Sequence, residues 1–398
     1  MKVLVISCNT GGGHNSAGHA LEEQLKKEGM DVRFLDMFSL SGEKLSKKVS
    51  DCYIFSTRYP ALFKAAYMAG SLISSPRHKS PVYYANKAYC KRLYRYLKEN
   101  RFDVVVTSHL FPAEALTALK RSGRLDAKTV AVATDYTSIP FWEETELDKY
   151  IIPHPDLVEE FAMRGLPREK LYPLGIPVSG RFQCQISREE AREWIRANIF
   201  PQLDCGKRLY LIMSGSMGFG NSEKLINELL KRYEDHITVL TVCGTNEKLK
   251  DRLTGAFGAN ENVLITGFTK QVAFCMKACD VLFTKPGGLS TTEAAVANVP
   301  LIHTAPIPGC ETKNALFFSE RGMSCSSSKV KEQITYAEKL CMDRNYRECQ
   351  LEAQRANIPH NAAENIVREL IDTISITDPL FDSIGPDHPK EALKNEQD

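Results

Sequence analysis

The sequence predicts an α/β protein made of two doubly wound parallel sheets that face a cleft, and three observations predict it. Short apolar runs alternate with amphipathic helical stretches in both halves of the 398 residues, the pattern of repeated βαβ units. Glycine-rich turns directly follow apolar runs at Gly11-Gly12-Gly13, at Gly215 to Gly220 and at Gly287-Gly288. Between the halves lies Gly175-Ile-Pro-Val-Ser-Gly180, a stretch of residues that interrupt regular structure and read as a hinge.

In order, Val3–Ile6 is a first strand, and Ala17, Ala20, Leu21 and Leu25 form one apolar face of the helix that follows, with Gly29 as its stop. Val32–Leu35 is a second strand ending at Asp36. Residues 42–99 break the alternation and read as helices and loops, with an uncharged segment from Ala65 to Pro76 and a basic helix from about Tyr83. Strands resume at Phe102–Val106, Thr129–Ala133, Lys149–Ile152 and Lys170–Leu174, with helices over 113–121 and from Pro155. The second half opens on a helix over Ser187–Asn198. Its strands are Leu209–Met213, His236–Val242, Val263–Ile265, Val281–Phe283 and Leu301–His303. Ser222 is placed to cap a helix carrying Leu225, Leu229 and Leu230, and helices fill 313–321 and 329–372. From about Ile376 the chain is polar, proline-spaced and aperiodic, which reads as disorder. The expected division is 1–178, 179–374 and a tail over 375–398.

A composition of 43% hydrophobic and 25% charged residues excludes a fibrous or disordered chain. The twelve cysteines lack CxxC pairs and histidines at zinc spacing, so they read as reduced thiols of a cytoplasmic protein. Met1 runs straight into a strand, without the pattern of a signal peptide, and no run has the length of a membrane span. The net charge of +2 conceals an asymmetry: residues 44–101 carry 13 Lys/Arg against Asp51 and Glu99, together with ten aromatics from Tyr53 to Tyr96. Cations interleaved with aromatics suit either nucleic acid or an anionic bilayer. The uncharged segment 65–76 favours insertion at a bilayer surface, with Lys87, Lys91, Arg92 and Arg95 on lipid phosphates and no nucleic-acid partner. The plainer alternative is a helix packed on the first domain.

The stretch 279–293 carries the chemistry of the second half. A buried strand ends in Lys285-Pro286-Gly287-Gly288, and Ser290-Thr291-Thr292-Glu293 has the spacing of a capping box opening a helix. Glycine turn and helix start make a site for an anion, with phosphate its natural guest. Dinucleotide binding is one reading, since Gly11, Gly12 and Gly13 with Asp36 partly imitate its fingerprint. The glycine spacing is wrong, however, and the later turns are left without a role. A nucleotide-sugar site spread over both halves uses all three turns. No DxD occurs in the chain, so backbone N–H groups and a helix dipole, not a metal, are expected to carry the diphosphate charge. His14, at the mouth of the first loop, has the side chain of a general base, or simply helps cap the helix. Asp135 follows a strand end, where open sheets place ligands, and either assists the base or begins a turn.

Five motifs occur in order: Gly11-Gly-Gly-His14, Thr134-Asp-Tyr136, Gly175-Ile-Pro177, Thr284-Lys-Pro-Gly-Gly288 with Thr292-Glu-Ala294, and Pro308-Gly-Cys-Glu311 followed by Asn314. On these the chain resembles the diacylglycerol glycosyltransferases, bacterial processive glucosyltransferases and plant monogalactosyldiacylglycerol synthases, over about residues 1–345. The resemblance implies a GT-B fold, a UDP-hexose donor, inversion at the anomeric carbon and a diacylglycerol acceptor, with the enzyme peripheral on the inner face of the cell membrane. It leaves open another lipid-linked acceptor, or a non-catalytic nucleotide-sugar sensor. It implies that Gly11, Gly12 and Gly13 face the acceptor and that Ser216, Gly218, Gly287, Gly288 and Ser290 line the diphosphate. Glu293 then holds the ribose, where the plainer reading makes it a cap. Glu311 and Asn314 are placed for the sugar hydroxyls, or else form a loop–helix junction. Cys310 stands where the family usually has Gln, so the sugar is not identified.

Overall fold

The computed structural model describes residues 1–9, 12–41, 79–213 and 221–375. The segment 65–76, the positions Gly11, Ser216 and Gly218, and the tail beyond 375 lie outside the described residues.

Among the described residues, twelve strands form two six-stranded sheets. The first contains β1 (Lys2–Ser7), β2 (Asp31–Asp36), β3 (Val104–Thr107), β4 (Lys128–Val132), β5 (Lys149–Ile151) and β6 (Leu171–Tyr172), in the order β2-β1-β3-β4-β5-β6. The second contains β7 (Arg208–Met213), β8 (Ile237–Val242), β9 (Val263–Thr266), β10 (Val281–Thr284), β11 (Leu301–His303) and β12 (Cys325–Ser326), in the order β12-β11-β10-β7-β8-β9. Every pairing is parallel. Parallel strands covered by helices on both faces are buried on both faces, which is why β3 and β10 open on the unbroken apolar runs Val-Val-Val and Val-Leu-Phe. The strand order reverses beside β1 in the first sheet and between β7 and β10 in the second, the switch points at which such sheets bind ligands.

Among the described residues the expected elements are present, with differences at their edges. The helix Gly12–Lys27 buries Ala17, Ala20, Leu21 and Leu25, and Gly29 follows it at a φ of +75°. Ser187 and Glu190 form a true capping box on Arg188–Asn198. Ser222, by contrast, is not a cap: Asn221 precedes the helix Ser222–Tyr233, and Ser222 is its buried first residue. The short strand β12 had no periodic signal, being two residues paired with β11.

The last helix, Ala362–Ser375, falls within the expected second domain yet packs on the first sheet. Its Ile366, Val367 and Leu370 join the cluster of Val3, Val5, Leu21 and Val104. Full burial of each such side chain is worth about 1.5–3 kcal/mol, enough to hold the helix there. Glu369 also accepts from Lys149 of β5. The chain therefore crosses between domains twice, and the crossings touch. Gly175 sits at φ +94°, and a Cβ there would lie 2.5 Å from Pro359 on the returning segment.

Candidate active site

The carboxyl ends of the two sheets meet across the cleft. On the first side, β1 runs into the helix Gly12–Lys27, whose first turn carries His14. Its Nδ1 lies 2.9 Å from the Ser108 carbonyl and 2.9 Å from Thr134 Oγ1. A carbonyl can only accept, so Nδ1 carries the hydrogen and Nε2 keeps its lone pair. Ser108 Oγ returns a bond to the His14 carbonyl at 2.8 Å, and the His109 ring stands edge-on at 4.5 Å. Burial lowers the His14 pKa, partly opposed by the charge of Asp135. The ring is thus a neutral imidazole in a fixed tautomer, able to take a proton at Nε2. Burial and the neighbouring His14 push His109 well below the usual range. Its Nδ1 accepts from the Phe111 N–H at 3.1 Å, a capping role.

On the second side, β10 leads through Lys285-Pro286-Gly287 into the helix Gly288–Ala297. The capping-box expectation for Ser290 and Glu293 fails here. Gly287, extended at φ −70° and ψ 137°, is already the cap residue, and no side chain caps it. Ser290 therefore sits in the first turn, and Glu293 lies well inside the helix, beyond reach of the cap. The first-turn N–H groups of Gly288, Leu289 and Ser290 have no intrahelical acceptor, an arrangement suited to an anion. Half-buried Glu293 makes no hydrogen bond with the described residues, and burial pushes its carboxyl up to about 8.

The domains press together at Gly288, where a Cβ would stand 1.9 Å from the Thr134 carbonyl oxygen. Only glycine allows that approach. Gly13 faces Leu289 across the same contact, a Cβ there meeting the Leu289 Cβ at 3.7 Å, while Gly12 borders open space. Tyr136 of the first domain enters the second, its ring stacked on Phe317 at 4.9 Å and its hydroxyl 2.8 Å from Thr292 Oγ1.

Asn314, fully buried on the helix Cys310–Glu320, joins the two sides. Its Oδ1 accepts from the Tyr136 N–H at 2.7 Å. Its Nδ2 donates to Asp135 Oδ1 at 2.8 Å and to the Pro286 carbonyl at 3.0 Å. Asp135 makes no direct bond to His14 and acts on it through charge. Glu311 turns inward: Lys285 Nζ lies 2.9 Å from Oε1, and the Ile307 N–H donates to Oε2 at 2.7 Å. Cys310 lies close to the carboxylates of Asp135 and Glu311, and burial, reinforced by both charges, raises its thiol pKa well above the usual value. Thr134, Tyr136 and Lys285 were visible only as neighbours within motifs, and Ser108 carried no signal, since its role rests on a backbone oxygen.

The described part of the basic stretch forms the helices Pro81–Lys87 and Cys90–Asn100; Lys87 on the first and Lys91, Arg92 and Arg95 on the second are exposed, while Leu93 and Leu97 are buried. Its aromatics do not share that face. Tyr83 is buried, and Tyr89, Tyr94 and Tyr96 pack on the core, leaving Tyr84 as the exposed ring of the described stretch, at 60%. Among the described residues no group of three His, Cys, Asp or Glu side chains could hold a metal ion, and no helix is long and apolar enough to cross a membrane.

Residues 14–178 match the family model of monogalactosyldiacylglycerol (MGDG) synthase, and residues 198–356 match that of glycosyl transferases group 1. A processive diacylglycerol beta-glucosyltransferase of Staphylococcus saprophyticus is 31% identical over 329 residues, covering 81% of this chain and 80% of that protein. One from Bacillus cereus is 29% identical over 345 residues, 86% of each. Among solved structures, Acinetobacter baumannii MurG superposes with a TM-score of 0.57 at 18% identity, covering 94% of this chain and 99% of that one. The Staphylococcus aureus MnaA–UDP complex gives 0.61 at 12% identity, covering 94% and 98%. The two sheets with these neighbours make the fold GT-B.

Proposed function

The chain belongs to the family of the processive diacylglycerol glucosyltransferases, and from that premise we propose that it moves a hexosyl group from a UDP-sugar to the free hydroxyl of a diacylglycerol. The hydroxyl approaches Nε2 of His14, which takes its proton as the oxygen bonds to the anomeric carbon. The bond from that carbon to the diphosphate breaks, and its electron pair leaves on UDP. Attack opposite the leaving group inverts the centre and yields a β-linked glycolipid. Gly287, Gly288 and Ser290, with Ser216 and Gly218, receive the diphosphate, whose growing charge meets the helix start with no metal required. Glu293 holds the ribose hydroxyls. The observation that carries this reading is the contact of Gly288 with Thr134, which brings a neutral imidazole and an uncapped helix start to one cleft. UDP release from UDP-glucose and from UDP-galactose, with and without diacylglycerol, tests it, with the lipid product resolved by thin-layer chromatography. Release indifferent to diacylglycerol would sink the reading.

The acceptor's acyl chains remain in the bilayer, so the enzyme docks on the inner face of the membrane. We assign the docking to Lys87, Lys91, Arg92 and Arg95, each cation near an anionic surface being worth about 1 kcal/mol. Replacing all four with Gln is expected to release the protein from anionic vesicles while sparing UDP binding. Co-sedimentation equal to wild type at low and high salt overturns that assignment.

A further inference from the structure

We propose that Asn314 is a positioning residue that makes the base competent only when the two domains are closed, by reaching from the donor-side helix to hold Asp135 beside His14. The inference rests on the glycosyl-transfer reading and adds to it the regulation of the same site.

The amide has one possible orientation. The Tyr136 backbone N–H can only donate, so the atom facing it at 2.7 Å is Oδ1. That leaves Nδ2 against two acceptors, the Asp135 carboxylate at 2.8 Å and the Pro286 carbonyl at 3.0 Å. Both hydrogens of Nδ2 are used, and the group is fully buried. Two of the three partners belong to the first domain. The third is the turn that opens the helix Gly288–Ala297. Opening the cleft would strip Asp135 of the hydrogen bond from Asn314 and leave Asn314 with Pro286 alone. The charge of Asp135 is the larger of two influences, the other being the bond to the Ser108 carbonyl, that favour a proton on His14 against the burial that opposes it. A carboxylate free to turn toward solvent would not stabilise the imidazolium formed when the base takes its proton. The neighbouring contacts close together with the amide. Gly288 admits the Thr134 carbonyl, Tyr136 inserts against Phe317 and Thr292, and Asp156 meets Arg321 at 2.7 Å.

A double-mutant cycle between Asn314 and Asp135 provides the test, because a residue acting through another loses its effect when that other is gone. Asn314→Ala is expected to lower kcat by about ten- to a hundredfold, the loss of a hydrogen bond to a charged partner. In an Asp135→Ala background the same change is expected to cost little more. An equal loss in both backgrounds overturns the proposal, since a purely structural role would be additive. Asn314→Ser supplies the same comparison should the alanine variant fail to fold. A second readout needs no turnover: NMR titration of His14 in protein with labelled histidine, where loss of Asn314 should lower the midpoint further. An unchanged midpoint in a folded variant also overturns the proposal. Wild-type protein inactive with UDP-sugar and diacylglycerol, yet showing the His14 shift, would refute the assigned reaction and leave Asn314 as the link.

Discussion

At the carboxyl end of β1 the chain presents side chains: His14, with Thr134 and Asp135 beside it and the Ser108 carbonyl fixing its ring. At the carboxyl end of β10 it presents backbone, the bare first turn of Gly288–Ala297 with no side-chain cap. The difference follows from the work each end can do. Proton transfer needs a titratable atom held in one tautomer, which a backbone cannot supply. A diphosphate needs only directed N–H groups and a favourable dipole. Changes on the first side should therefore act on rate, and those on the second on donor affinity.

The largest expected effect breaks the first side. His14→Ala should lower turnover by about 10²–10⁴-fold, the usual worth of a general base, while calorimetry finds UDP affinity unchanged. In the wild type, the acidic limb of kcat/KM should fall below the ordinary histidine value of 6.5, because burial lowers the His14 pKa and activity is lost only as pH falls through it. Turnover close to wild type in the variant would pass the base role elsewhere, with Asp135 the first candidate.

Both ends were largely legible as strand ends, because apolar runs such as Val3–Ile6 and Val281–Phe283 are buried on both faces and leave an unbroken pattern. What crosses the cleft was not. Ser290 and Glu293 match a capping box in spacing, but the start of their helix is set by extended Gly287 before them. Gly288 read as a phosphate glycine, while its missing Cβ also makes room for Thr134, a contact no local pattern encodes. Asn314 read as a sugar ligand because its bonds to Asp135 and Tyr136 join residues 179 and 178 positions away. Helices were expected over 329–372, but nothing in that stretch says that the last of them covers the first sheet. On the basic helices Lys87, Lys91, Arg92 and Arg95 are exposed, but Tyr83 is buried and Tyr89, between the two helices, packs on the core.

A smaller effect is expected on the second side. Glu293→Ala should weaken UDP by about ten- to a hundredfold, the worth of a hydrogen bond from a hydroxyl to a charged group, and leave kcat at saturating donor near wild type. If instead kcat falls and UDP affinity holds, the division of labour between the two ends is wrong.

The smallest effect is a pH dependence that separates Glu293 as a ligand from Glu293 as a buried bystander. Burial pushes its carboxyl up to about 8 from an ordinary 4.5, so the empty site holds it mostly protonated at neutral pH. The carboxylate is the form that accepts from two ribose hydroxyls at once, so donor binding must release that proton. With only about one-tenth of the groups ionised one pH unit below the pKa, UDP affinity should rise by up to about tenfold from pH 7 to above 8 and then level off. The empty protein should show the opposite trend. Its folded form binds the proton more tightly than the unfolded chain, so the stability gained from that proton is complete below 4.5 and declines as pH rises toward about 8. Glu293→Gln, neutral at every pH, should flatten both curves, weakening UDP above pH 8 while raising the melting temperature of the empty protein there. Calorimetry and thermal unfolding on the same two proteins measure the two trends. Were UDP affinity flat with pH while the glutamine variant still gained stability, Glu293 would be a half-buried acid with no part in holding the donor.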